Sequence, residues 1–69
     1  MAFIYIENCY GINNGNRAYY RKSGDSCFDF TNSKEYASNL TEKEVEEIMQ
    51  YAEWYKKQYA ANRIGIELK

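Results

Sequence analysis

Residues 39–62 read NLTEKEVEEIMQYAEWYKKQYAAN, and this stretch decides the architecture. Thr41 and Glu44 have the spacing of a capping box, in which the threonine hydroxyl accepts from the third helical N–H and the glutamate reaches back. Leu40 before the cap and Val45 beyond it have the spacing of a hydrophobic staple. Glutamates 42, 44, 46 and 47 crowd the first turns, while Lys56, Lys57 and Arg63 lie towards the end, as the helix dipole favours. Val45, Ile48, Met49, Ala52, Tyr55 and Tyr59 recur with a period near 3.6. One long helix over about residues 42–62 is predicted, with a single apolar stripe to bury.

Its partner must be a sheet. RIGIEL at 63–68 alternates Ile64, Ile66 and Leu68 with polar residues or glycine and reads as a closing strand. AFIYIEN at 2–8 is rich in β-branched and aromatic residues, and RAYYRK at 17–22 gives a second strand. Asn14-Gly15 is the strongest short hairpin signal between them. A type I′ turn there sets Ile12 opposite Arg17 and Tyr10 opposite Tyr19, with room for a bulge at Gly11. Ser23-Gly24-Asp25 closes the second strand. Residues 27–31 (CFDFT) form a short extended piece, and Tyr36-Ala37 another. The expectation is α+β, in the order ββ(β)αβ: a small, mostly antiparallel sheet of three to four strands with one long helix on one face.

The 69 residues make one domain, 1–69. A domain of this size buries only about 60% of the surface its unfolded chain exposes. Composition narrows its function. There is no histidine, so no ordinary general base near neutral pH and no Ser-His or Cys-His couple. Two cysteines without histidine make no standard zinc site. The four glycines are isolated, so there is no phosphate-binding loop. We expect neither an enzyme nor a cofactor. Net charge is −1, without the basic excess of a general nucleic-acid binder. No apolar run spans a bilayer, and the N-terminal residues lack the pattern of a signal peptide. The expected location is the cytoplasm of a bacterial host cell. Cys9 and Cys27 are expected as free thiols, a single bridge between them being the alternative.

Aromatic residues are 17% of the chain, with eight tyrosines among them. Tyr55 and Tyr59 belong to the helix stripe. Trp54 does not: at 100° per residue it points about 140° from the stripe centre. Either a loop from 24–39 covers it, or it anchors a partner, since Trp and Tyr dominate interface hot spots. Tyr51, Gln58 and Glu47 lie on the same side of the helix. On the hairpin, successive residues face opposite ways, so Tyr19 and Tyr20 cannot share a face. With Arg17, Arg21 and Lys22 they make a basic-aromatic strand, which on an open sheet could stack bases and hold phosphates. As a solvated strand it has no such role. The acidic first half of the helix could imitate a phosphate backbone, although dipole complementation and solubility are the better account of it, since a strong mimic carries far more charge than −1 overall. The candidate partner-binding residues are therefore Trp54, Tyr51, Gln58, Glu47, Tyr19, Tyr20, Arg17 and Arg21.

The hairpin opening (FIYIEN…RAYYRK), the aromatic CFDF, the capped NLTEKEVEEIM and the closing RIGIEL together resemble small accessory proteins of phages and mobile elements, several anti-CRISPR proteins among them. The resemblance covers the order of elements along the whole chain and contains no specific motif, so it transfers no functional residue. It implies a non-catalytic inhibitor of a bacterial defence effector, an RNA-guided CRISPR nuclease being one candidate, that occludes a nucleic-acid-binding or conformational site. The alternative is a small single-stranded nucleic-acid-binding or transcription-associated phage protein. A homodimer through a sheet edge or the tyrosine face is a third expectation.

Overall fold

A computed structural model describes residues 1–9, 13–24 and 27–68, excepting the side chains of 8, 9 and 13–16. Four strands form one sheet: β1 (Ala2–Cys9), β2 (Asn13–Gly24), β3 (Cys27–Thr31) and β4 (Arg63–Leu68). Their order is β3-β2-β1-β4, and every neighbouring pair is antiparallel. Two helices, α1 (Glu42–Met49) and α2 (Ala52–Gln58), cover one face, and a 3-10 turn (Lys34–Tyr36) precedes them. Among the described residues, no helix is long and apolar enough to cross a membrane.

The hairpin register differs from the expected one. Tyr5, not Tyr10, lies opposite Tyr19; Glu7, not Ile12, lies opposite Arg17. Asn14 and Gly15 are strand residues of β2, and the Gly11 bulge lies outside the described residues. The burial pattern explains the shift. The Asn-Gly turn would have set Ile6 against Ser23. The observed register sets it against Ala18, and both are fully buried. Two covered apolar residues outweigh a favourable turn dipeptide.

The sheet opens between β1 and β2 to admit the segment after the 3-10 turn. Ser38 N–H donates to the Tyr20 carbonyl (3.1 Å), and Lys22 N–H donates to Ser38 Oγ (2.9 Å). Ala2 and Leu40 exchange both backbone hydrogen bonds, at 3.0 and 2.9 Å. Ala37 packs on one face of the sheet and Leu40 on the other. The chain thus passes through the sheet between residues 37 and 40. Tyr36, expected in an extended piece, lies in the 3-10 turn instead.

The helical layer is broken. Thr41 and Glu44 form the capping box, with Glu44 N–H donating to Thr41 Oγ1 (3.2 Å) and Thr41 N–H to Glu44 Oε1 (2.9 Å). Regular helix stops at Met49 and resumes at Ala52, Tyr51 having φ −107° and ψ 23°. An unbroken helix over 42–62 would be about 31 Å long at 1.5 Å per residue. The longest dimension of the molecule is 27 Å. An unbroken helix of that length would be longer than the molecule. The helical segment ends four residues early, because Ala60 takes a left-handed φ of 51°. Ala61 N–H then reaches the Lys56 carbonyl (2.8 Å) and Ala60 N–H the Lys57 carbonyl (3.4 Å), the Schellman pattern without its usual glycine. Ala60→Gly should therefore stabilise the fold by roughly 0.5–1 kcal/mol, after the extra unfolded-state entropy of glycine is counted. Calorimetry should show a melting temperature higher by several degrees.

The stripe residues Val45, Ile48, Met49, Tyr55 and Tyr59 pack on Ile4, Ile6, Ala18, Tyr20, Phe30 and Leu40. A second cluster, Phe3, Tyr5 and Tyr19, is buried on the opposite face without a helix over it. Charged side chains roof it. The Arg17 guanidinium lies 3.9 Å from the Tyr5 ring centroid, and Lys34 Nζ 5.4 Å from that of Phe3. Arg17 donates to Glu67 (2.6 Å) and Glu7 (3.3 Å), Tyr19 Oη donates to Glu67 (3.1 Å), and Lys34 pairs with Glu67.

These pairs set a pH dependence. The hydrogen bond from Lys34, with those from Arg17 and Tyr19, holds the Glu67 carboxyl below the usual range, and the bond from Arg21 does the same for Asp29. A depressed folded pKa means that the unfolded chain binds protons more readily, so the stabilisation is present above the ordinary value near about 4 and fades as pH falls through the folded values. Thermal melts should be level from neutral to weakly acidic pH and drop below about pH 4. Glu67→Gln should make that drop shallower.

Candidate protein-binding surface

The outer surface of the helical layer displays two large rings on either side of the start of α2. Tyr51 sits outside regular helix and is 61% exposed, and Trp54, one turn on, is 49% exposed. Trp54 is seated rather than loose. Its ring meets Tyr55 edge-on at 5.1 Å between centroids and Phe28 of β3 at 6.4 Å. Phe28 in turn stacks on Tyr20 (5.4 Å, 14° between planes) and meets Tyr55 edge-on (5.2 Å). One side of the indole is thus fixed by a continuous aromatic cluster, while about half of the residue faces solvent. The expected alternatives for Trp54, covered or exposed, each hold in part: β3 supports one edge and leaves the rest open.

Gln58 and Glu47 are exposed on the helical layer. Glu47 also borders a shallow groove of about 210 Å³, lined by Tyr20, Lys22, Glu44 and Ile48. Lys22 pairs with Glu44 across it. The surface carries two large rings, an amide and carboxylates, mounted on α1, α2 and the link between them, with Lys22 of β2 at its border. It can bury aromatic area at low entropic cost, because the supporting rings already fix the indole.

The hairpin residues are arranged differently. Tyr19 and Tyr20 are both buried, on opposite faces. Burial pushes both phenols up, and Glu67 adds to the effect on Tyr19. Arg17 belongs to the roof over Tyr5, and Arg21 makes a two-pronged bond to Asp29 (2.9 and 2.7 Å). No ring of this strand offers an open platform for a base. The sequence shows two adjacent tyrosines on opposite faces, but not the 3-10 turn and charged roof that close the second face.

Phe28 was missed as a contributor to the site. The CFDF alternation placed it on a strand, yet its contact with Trp54 depends on β3 pairing with β2 at the sheet edge. Among the described residues, no group of acidic and cysteine side chains gathers as metal ligands would, and Cys27 is a free, exposed thiol. No protein-family model matches the chain, and no curated protein or solved structure matches it either.

Proposed function

We propose that the protein is a non-catalytic binding module that inhibits a bacterial defence effector by occlusion, in the manner of the small anti-CRISPR-like proteins of mobile elements. The observation that carries the binding role is the seated, half-exposed Trp54 beside Tyr51. A large ring held at one edge and open on the other has the form of an interface anchor. The layout of elements along the chain supports the inhibitory context, and an RNA-guided nuclease is the first effector to test. A specific interface occupies about 800 Å² on each partner. The whole molecule exposes 4666 Å², so such a partner would cover a large share of it.

The test combines protection and binding. Cells carrying an RNA-guided nuclease are challenged with a targeted plasmid in the presence of the protein. Binding to the purified nuclease is then measured for the wild type, Trp54→Ala and Tyr51→Ala. We expect protection, one-to-one binding, and a loss of at least about thirty-fold in affinity for Trp54→Ala, the size typical of a hot spot. Tyr51→Ala should also weaken binding, with its melting temperature unchanged. Lack of protection, together with unchanged binding by both variants, would overturn the reading.

A further inference from the structure

We propose that the free edge of β4 pairs with β4 of a second copy of the chain, in a two-fold antiparallel register centred on Ile66. The sheet ends at β4, whose outer side pairs with no described strand. The direction of its backbone groups follows from Ala2. Both Ala2 hydrogen bonds go to Leu40, so Ala2 turns its N–H and carbonyl away from β4. Leu68, the partner of Ala2, then turns its own groups outward. Alternation does the same for Ile66 opposite Ile4 and Ile64 opposite Ile6. These three residues supply the donors and acceptors of the free edge.

Their side chains also share one face. Ile66 is 47% exposed and Leu68 80%. The row contains no lysine or proline, the usual guards of an edge strand. It borders a groove of about 300 Å³ between β4 and α1, to which Met1, Ala2, Leu40 and Val45 contribute.

A two-fold axis perpendicular to the sheet is the symmetry that joins two such edges antiparallel, and it sets one residue against its own copy. Centred on Ile66, it pairs Ile66 with Ile66, and Ile64 with Leu68 in both directions. Every outward donor meets an outward acceptor, and every apolar side chain meets an apolar one. On the reverse face Glu67 falls opposite Gly65, so within residues 64–68 no like charges stand directly across the joint. Moving the axis to Ile64 would set Ile66 and Leu68 against Asn62 and Ala60, outside the strand. The edge is self-complementary in hydrogen bonding and hydropathy at this register, which argues for a second copy as its occupant. The resulting eight-stranded sheet leaves β3 and Trp54 at its two ends, so the proposal stands independently of the reading of Trp54.

A joint of this length is at the small end of specific interfaces, so the dimer is weak and concentration-dependent. Sedimentation equilibrium from about 10 µM to about 1 mM should show the mass rising towards twice that of the chain, across the range of a weak complex. Leu68→Lys, at a residue too exposed to affect folding, should remain monomeric throughout. In a background of Cys9→Ser and Cys27→Ser, Ile66→Cys should form a disulfide-linked pair under mild oxidation, because directly paired strand residues come within about 5.5 Å, inside disulfide reach. Leu68→Cys in the same background faces Ile64 and should link at least tenfold more slowly. A wild-type monomer at about 1 mM, a Leu68→Lys variant that still doubles in mass, or equal linking of the two cysteine variants would overturn the proposal.

Discussion

Leu40→Ala should destabilise the protein by about 2–5 kcal/mol, the range for deleting a buried leucine side chain. Leu40 is fully buried, and it stands where the chain passes through the sheet. Its backbone closes the gap beside Ala2, while its side chain fills the core under α1 and staples Val45 across the helix start. The site cannot collapse around a cavity, because hydrogen bonds to Ala2 and, through Ser38, to Tyr20 and Lys22 fix the backbone on both sides. The expected loss therefore sits in the upper half of the range. A chain of 69 residues has roughly 3–10 kcal/mol to lose at typical stability per residue. Calorimetry should show a melting temperature lower by at least about 10 °C. Leu40→Met, which keeps the volume, should cost less than about 1.5 kcal/mol. Similar losses for the two variants would mean that the filled volume is not what matters.

That prediction depends on a feature only half visible in the sequence. Leu40 was legible as the staple residue of a capped helix, and the capping box formed as read. Its second role needs a sheet that splits, and no local pattern encodes that. The strands at 27–31 and 63–68 were legible to the residue, because apolar alternation on a half-buried strand is a local signal. The hairpin register was not. Asn-Gly is a strong local preference, but burial of Ile6 against Ala18 is a long-range gain and prevails. The helix break was hidden as well. Neither glycine nor proline marks residues 50–60, and the left-handed Ala60 ends the helix.

The candidate surface divides along the same line. The exposure of Trp54, Tyr51, Gln58 and Glu47 follows from helical phase, and phase survives the break. The fate of Tyr19 and Arg17 depended on what covers the second face, whereas Tyr20 is buried under the helices and Arg21 pairs with Asp29. The cover comes from Lys34, Ala37 and Glu67, residues with no individual signature of that role. A basic-aromatic strand became a buried ring cluster under an ion-pair roof.

Gly65→Ala should cost about 1–3 kcal/mol although it adds a single methyl group, the range for overpacking a well-filled site. Gly65 lies opposite Tyr5, whose ring crosses it. A Cβ at 65 would stand 2.6 Å from Tyr5 Oη and 2.7 Å from Cζ. The ring has nowhere to retreat: Arg17 lies over it at 3.9 Å, and Tyr19 meets its edge at 6.4 Å between centroids. Moving Tyr5 displaces Arg17 from Glu7 and Glu67, so damage at one methyl spreads to the whole roof. The signature is a coupling. With Tyr5→Val in place the obstacle is gone, and Gly65→Ala should then be neutral or slightly stabilising, since alanine suits a strand better than glycine. A double-mutant cycle should therefore give a coupling above about 1 kcal/mol, whereas independent effects would add to within about 0.5 kcal/mol. Acid titration gives a second readout. Once Arg17 leaves Glu67, that carboxyl should rise towards its ordinary range, and Gly65→Ala should lose part of the stability drop below about pH 4 that the wild type shows.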